Sequence, residues 1–108
     1  MPDHTELEAY ILSMPNTRID YPFGEEVAVY KTGEKMFALI AEKSNPLRLS
    51  LKCDPQLAKT LRERYESVLP GYHLNKKHWN TLLLTGQLSW EEVQDLIRHS
   101  YLLVTEKD

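Results

Sequence analysis

The segment Gly71-Tyr72-His73-Leu74-Asn75-Lys76-Lys77-His78-Trp79-Asn80-Thr81 concentrates the side chains best suited to chemistry. Lysine supplies a point charge for phosphate. Tyrosine and tryptophan offer faces on which a base can stack, and asparagine carries both donor and acceptor groups. In combination these types suit contact with a nucleic acid. The plainer reading is a polar connection whose Trp79 plugs the core where a strand begins, because tryptophan is buried on average. On that reading the indole lies against the second helix, near Leu61 or Tyr65.

Other reactive groups lead nowhere sharper. His73, His78 and His99 match no standard ligand spacing, and a metal centre needs three or four converging ligands. No metal and no cofactor is therefore expected. Cys53 stands just before a helix start, where the dipole favours a thiolate. Nucleophilic catalysis also needs a positioned base, and none is identifiable, so Cys53 reads as a buried structural thiol. Gly24, Gly33, Gly71 and Gly86 are isolated turn glycines, not a phosphate-cradling loop. Glu91 and Glu92 suit the first turn of a helix without catalysis. Nothing in the chain favours an enzyme.

Charge is unevenly spread along the 108 residues. Residues 1–30 carry one Arg against six acids, residues 31–78 carry ten Lys and Arg against five acids, and residues 79–108 carry two against five. The net charge of -3 thus hides a basic middle, and a local field matters more than the total for an anionic partner. No apolar run approaches the ~20 residues that span a bilayer. The uncharged stretch Ala9–Thr17 lies inside an amphipathic pattern with no basic leader, so a signal peptide is not expected. A single cysteine cannot form an internal disulfide, which fits a reducing, cytoplasmic setting.

The elements that must position these groups can be read from periodicity. Leu7, Tyr10, Ile11 and Met14 form one face of a helix, capped by Asp3 or Thr5 and ended by Met14-Pro15. A turn-rich connection through Asn16 and Asp20 leads to Gly24. Val27 to Tyr30 reads as a strand, Thr32-Gly33-Glu34 as a hairpin turn, and Lys35 to Ala41 as a second strand. After Ser44-Asn45-Pro46, Leu47, Leu49 and Leu51 alternate with Arg48, Ser50 and Lys52, giving a strand with one buried and one wet face. Asp54-Pro55 opens a helix with inner residues Leu57, Ala58, Leu61 and Tyr65, and Arg62 can pair with Glu66 one turn on. Pro70-Gly71 reads as a loop, and Trp79 to Leu84 as a fourth strand. Ser89 and Glu92 form a capping box for a last helix with the stripe Val93, Leu96, Ile97 and Val104. The expectation is one domain, residues 1–108, of order α-β-β-β-α-β-α. Its class is α+β: a two-layer sandwich of an antiparallel sheet with helices on one face.

With these elements in place, the chain resembles the MmcQ/YjbR family of small bacterial proteins. The matching residues are Lys35-Met36-Phe37-Ala38, Leu51-Lys52, Tyr65, Pro70-Gly71-Tyr72-His73-Leu74-Asn75-Lys76, His78-Trp79-Asn80-Thr81 and Ser100-Tyr101. The likeness runs from about Tyr21 to Val104, and the His-Leu-Asn-Lys string followed after one residue by His-Trp is highly specific. The resemblance implies a fold like CyaY, the bacterial frataxin, with paired hairpin "wings", and a DNA-binding role proposed from that wing geometry. Mapped onto this chain, the candidate nucleic-acid residues are Lys35, Arg48, Lys52, Asn75, Lys76, Lys77 and His78. Lys52, Lys76 and Lys77 are expected to touch phosphate, and Asn75 and His78 to add polar contacts. Acidic helices at both ends of the chain oppose this if they flank the site. The expected molecule is a non-enzymatic, cytoplasmic monomer that binds DNA with low sequence specificity. The competing expectation is a protein-interaction or small-ligand module in which the Tyr72–Trp79 loop closes a pocket.

Overall fold

The alternation of Leu49 and Leu51 with Arg48, Ser50 and Lys52 builds the central strand of the sheet. The computed structural model describes residues 2–71 and 74–105. Three helices, α1 (His4–Leu12), α2 (Pro55–Arg64) and α3 (Trp90–Thr105), accompany six strands. The strands are β1 (Thr17–Asp20), β2 (Val27–Thr32), β3 (Lys35–Ala41), β4 (Arg48–Lys52), β5 (Val68–Pro70) and β6 (Trp79–Leu83). They form one open antiparallel sheet in the order β1-β2-β3-β4-β6-β5.

Two of these strands, β1 and β5, depart from the expected order. Both are edge strands, so neither needs the two-sided apolar pattern that betrays a strand in sequence. β1 exposes Arg18, Ile19 and Asp20. β5 is three residues long and ends in Pro70, which an edge tolerates because its missing N–H costs no ladder bond.

The helices share one face of the sheet, as expected. Leu7 and Ile11 of α1, Ala58 of α2 and Val93, Ile97 and Val104 of α3 join Ala28, Tyr30, Ala38, Ile40, Leu49, Leu51 and Leu82 in one core. The caps follow the sequence. Asp3 and Glu6 make a capping box on α1. Asp54 accepts from the N–H groups of Gln56 and Leu57. Ser89 and Glu92 exchange hydrogen bonds at the start of α3, and these hold the Glu92 carboxyl below its ordinary pKa. One expected pair is absent: α2 ends at Arg64 and Tyr65 is extended, so Glu66 does not stand one turn above Arg62.

The second face is not simply wet. Val29, Leu39 and Trp79 bury themselves there, with Val27, Met36 and Leu74 packed beside them. A β-bulge connects the two faces. Tyr30 pairs with Ala38 and Lys31 with Met36, leaving Phe37 as the extra residue. Phe37 and Ala38 therefore both enter the helix-side core, which explains why Lys35 to Ala41 does not alternate cleanly.

The bulge also leaves backbone groups to satisfy. Pairing of β3 with β4 stops at Ala38–Leu51. Beyond it, the Ser100 hydroxyl donates to the Phe37 carbonyl at 2.5 Å and accepts from the Lys52 N–H at 2.9 Å. Ser100 is fully buried, so no water replaces it. Replacing it by alanine strips a buried polar pair of its partner, at about 1–3 kcal/mol. In thermal unfolding followed by circular dichroism, Ser100→Ala is expected to lower Tm by roughly 4–8 °C per kcal/mol lost. An unchanged Tm would show the bridge to be dispensable.

Candidate nucleic-acid interface

Antiparallel pairing decides which basic residues meet. Lys52 ends β4 directly opposite Trp79, the first residue of β6. The Cys53 N–H donates to the His78 carbonyl at 2.8 Å, so the loop carrying Asn75, Lys76, Lys77 and His78 lies against the end of β4. Lys35 opens β3, which runs against β4, and so reaches the same end from the next strand. Arg18 and Lys31 also belong here, but Arg18 is 3.6 Å from Glu34 and Lys31 is 3.5 Å from Asp20. Lys35, Lys52, Lys76 and Lys77 make no ion pair with any described residue.

Arg48 does not join them. It opens β4, pairing with Ala41 and Leu83 at the opposite end of the sheet. The acidic helix starts lie at that opposite end too. His4 of α1 contacts Glu42, just past β3, and Leu84, shortly before α3, bonds back to Leu47. Thus the first turns of α1 and α3 do not flank the lysines.

The loop has an internal frame. Asn75 uses its side-chain oxygen to accept from the Lys77 N–H at 2.8 Å, and its carbonyl accepts from the His78 N–H at 3.2 Å. Asn75 is a turn former before it is a contact residue. Arg62 of α2 donates to the Lys76 carbonyl at 2.7 Å and to the Asn80 side chain at 3.1 Å. Asn80 is itself buried and donates to the Ala58 carbonyl. Helical periodicity leaves Arg62 outside the inner set Leu57, Ala58, Leu61 and Tyr65. Its role as a strut depends on a loop 14 residues away in the chain, which no helical periodicity announces. Tyr72 and His73 lie outside the described residues.

Trp79 is buried, as expected, but not where expected. It is 8% exposed and packs with Val29 and Leu39 on the sheet face away from the helices, whereas Leu61 and Tyr65 pack on the helix side. Its partner Lys52 is on that open face by the same alternation that buries Leu51. Gly71 closes over it: a Cβ at Gly71 would stand 2.7 Å from the Trp79 Cβ. Burial removes Trp79 as a stacking platform.

Cys53 is free and buried, and burial lifts its pKa from 9.0 to about 11. His99 accepts from the Asp54 N–H at 3.1 Å and serves the helix junction. Among the described residues, three potential metal ligands do converge: His4, Glu8 and Glu42, with ligand atoms within 4.8 Å of one another. The i, i+4 spacing puts His4 and Glu8 on one face of α1, but the third member, Glu42, comes from a distant strand end that spacing does not announce. Tyr30 donates to Glu8, while Tyr21 donates to Glu42 and His4 lies 3.2 Å from Glu42. Those contacts hold the trio together as a polar network at the acidic end.

The family model for YjbR matches residues 12–103. The chain belongs to the YjbR family. Among relatives, the uncharacterized protein YbdF of Escherichia coli O157:H7 is 36% identical over 103 residues, covering 95% of this chain and 84% of that protein. The uncharacterized protein YjbR of Escherichia coli K12 is 33% identical over 97 residues, covering 90% and 82%. The crystal structure of Deinococcus radiodurans DR2400, a DUF419 domain, superposes with a TM-score of 0.90 at 42% identity, covering 95% of this chain and 78% of that one. A Pseudomonas syringae crystal structure gives 0.80 at 30% identity, covering 94% and 98%. YjbR membership is therefore carried by sequence and by the α+β fold together.

Trp79→Ala in this YjbR domain is expected to cost ~3–5 kcal/mol in denaturant unfolding, as for other buried large aromatics. A stable variant would show that the loop side of the sheet contributes little packing. For Cys53, the unfolded chain ionises near its ordinary 9.0 while the native thiol keeps its proton to about 11. Native-state stability should therefore fall as pH rises through that window. Alkylation by iodoacetamide at pH 8 should be slow until the chain is unfolded, and rapid native labelling would contradict the buried thiol.

Proposed function

We propose that this YjbR-family domain is a non-enzymatic cytoplasmic module that, as a monomer, contacts DNA phosphates through one end of its sheet with low sequence specificity. The observation that carries the reading is the gathering of Lys35, Lys52, Lys76 and Lys77 at that end, none of them paired to an acid of the described residues. Neighbouring strands stand ~4.8 Å apart, so the positions step across the end of the sheet on a scale suited to a phosphate backbone. Asn75 and His78 support the track by shaping the turn that carries Lys76 and Lys77. Arg48, at the far end, has no part in it. The high pKa of Cys53 and the structural duties of His99 and Asn80 support the non-enzymatic part of the reading, and the unpaired thiol fits a reducing compartment.

A second reading, a small-ligand module without nucleic acid, is favoured by one observation. The open face of the sheet carries a cavity walled in part by Leu74, from the loop before β6.

Fluorescence anisotropy of a labelled duplex at two salt concentrations tests the first reading. Four phosphate contacts predict a slope of about -3.6 in log K against log salt, hence roughly a hundredfold loss of affinity between ~50 and ~200 mM salt. Lys52→Gln with Lys76→Gln should flatten the slope by about 2. No detectable binding at ~50 mM salt and high micromolar protein would remove DNA as the partner.

A further inference from the structure

A two-layer α+β sandwich normally turns a polar sheet face to water. Here that face is largely apolar around a cavity. Its floor consists of two cross-strand rows. In one, Val27, Ala41 and Arg48 stand side by side on β2, β3 and β4; in the other, Leu39, Ser50 and Thr81 do so on β3, β4 and β6. Phe23, from the turn before β2, and Leu74 wall the space, and Phe23 is 61% exposed. The cavity volume is about 420 Å³, within the ~300–1,000 Å³ typical of small-molecule sites.

The electrostatics of the lining are one-sided. Among the described residues that line the cavity, Arg48 alone is charged and no acid is present. Arg48 makes no ion pair with any described residue. Its backbone is anchored, since its N–H donates to the Ser44 hydroxyl at 3.1 Å and Ser44 donates in turn to the Ala41 carbonyl at 3.0 Å. The polar atoms at the centre of the floor engage each other, with Ser50 and Thr81 hydroxyls 2.8 Å apart. An apolar body therefore meets little polar surface it would have to strip of water, and a single anionic group meets a guanidinium able to grip it with two parallel hydrogen bonds.

We propose that this cavity binds a small monocarboxylate with an apolar body, its carboxylate held by Arg48 and its hydrocarbon laid over Val27, Leu39 and Ala41 between Phe23 and Leu74. The proposal deepens the small-ligand reading above and is independent of the four lysines, none of which lines the cavity. It also gives Arg48 a role: the arginine leaves the phosphate track because it belongs to a different site.

Octanoate and 1-octanol serve as probes, sharing a chain and differing in charge. Each is titrated into the full-length ¹⁵N-labelled protein, with isothermal calorimetry in parallel. Octanoate is expected to shift the amides of Val27, Leu39, Ala41 and Ser50, and to bind at least about tenfold more tightly than octanol. Arg48→Gln should erase that preference and leave octanol unchanged. Arg48→Lys, which keeps the charge without the planar fork, should retain part of it. Ala41→Leu fills the floor and should abolish both, with circular dichroism confirming that each variant is folded. If octanol binds in the cavity and octanoate binds no better, the carboxylate assignment fails while the ligand module survives. Absence of shifts with both probes at low millimolar concentration overturns the module as well. Shifts confined to Lys52, Lys76 and Lys77 overturn the proposal, and so does self-association by sedimentation that octanoate does not compete.

Discussion

The Ser100 hydroxyl is the interaction on which the rest of this structure depends. Beside the β2–β3 bulge at Phe37, the pairing of β3 with β4 ends at Ala38–Leu51, just where the sheet presents its basic end. A helix-borne hydroxyl fills the gap, donating to Phe37 and accepting from Lys52. This one group ties α3 to the two central strands and completes the hydrogen bonding that a regular ladder would otherwise supply. It also sets the position of Lys52, and beyond it Cys53, whose N–H holds the loop before β6. Buried and satisfied on both sides, such a polar group specifies one arrangement of helix on sheet, where apolar contacts alone would tolerate sliding.

From that junction the molecule divides its surface by direction along the strands. The end nearest Ser100 gathers Lys35, Lys52, Lys76 and Lys77, none of them paired to an acid of the described residues, while the far end holds the network of His4, Glu8 and Glu42 with their tyrosines. A near-neutral total charge conceals this polarity. Across the sheet the division is different: the helix side is a closed core, and the other side is apolar yet only partly covered, by Leu74, Phe23 and the buried Trp79. Polar partners are thus favoured at one end of the strands, and apolar ones over the open face.

Residues 74–78, before β6, serve both regions, and the residue types around them mislead when read singly. Trp79 looks like a stacking face, but the close approach allowed by Gly71 seals it into the sheet. Asn75 looks like a hydrogen-bonding contact, and its side chain closes a turn. Arg62, opposite the inner face of α2 by periodicity, is the strut that holds Lys76 in place.

Much of the fold was legible along the chain because it is local. Capping at Asp3, Asp54 and Ser89, the Gly33 hairpin and the Leu49–Leu51 alternation depend on neighbours within four residues, and all stand where the sequence puts them. The edge strands β1 and β5 were not legible, since an edge needs only a partner's backbone and leaves no pattern of its own. For the site, the sequence by itself determined which residues are basic, that Arg48 and Lys52 share a face, and that Cys53 is a buried thiol. Only the tertiary structure decided that Lys35, Lys52 and the Lys76–Lys77 loop share one end while Arg48 stands at the other, and that Trp79 faces away from the helices. The physical reason is that strand direction and cross-strand register are set by pairings between segments distant in the chain. Period-two alternation assigns a residue to one of two faces, but cannot say what the remainder of the chain lays over that face.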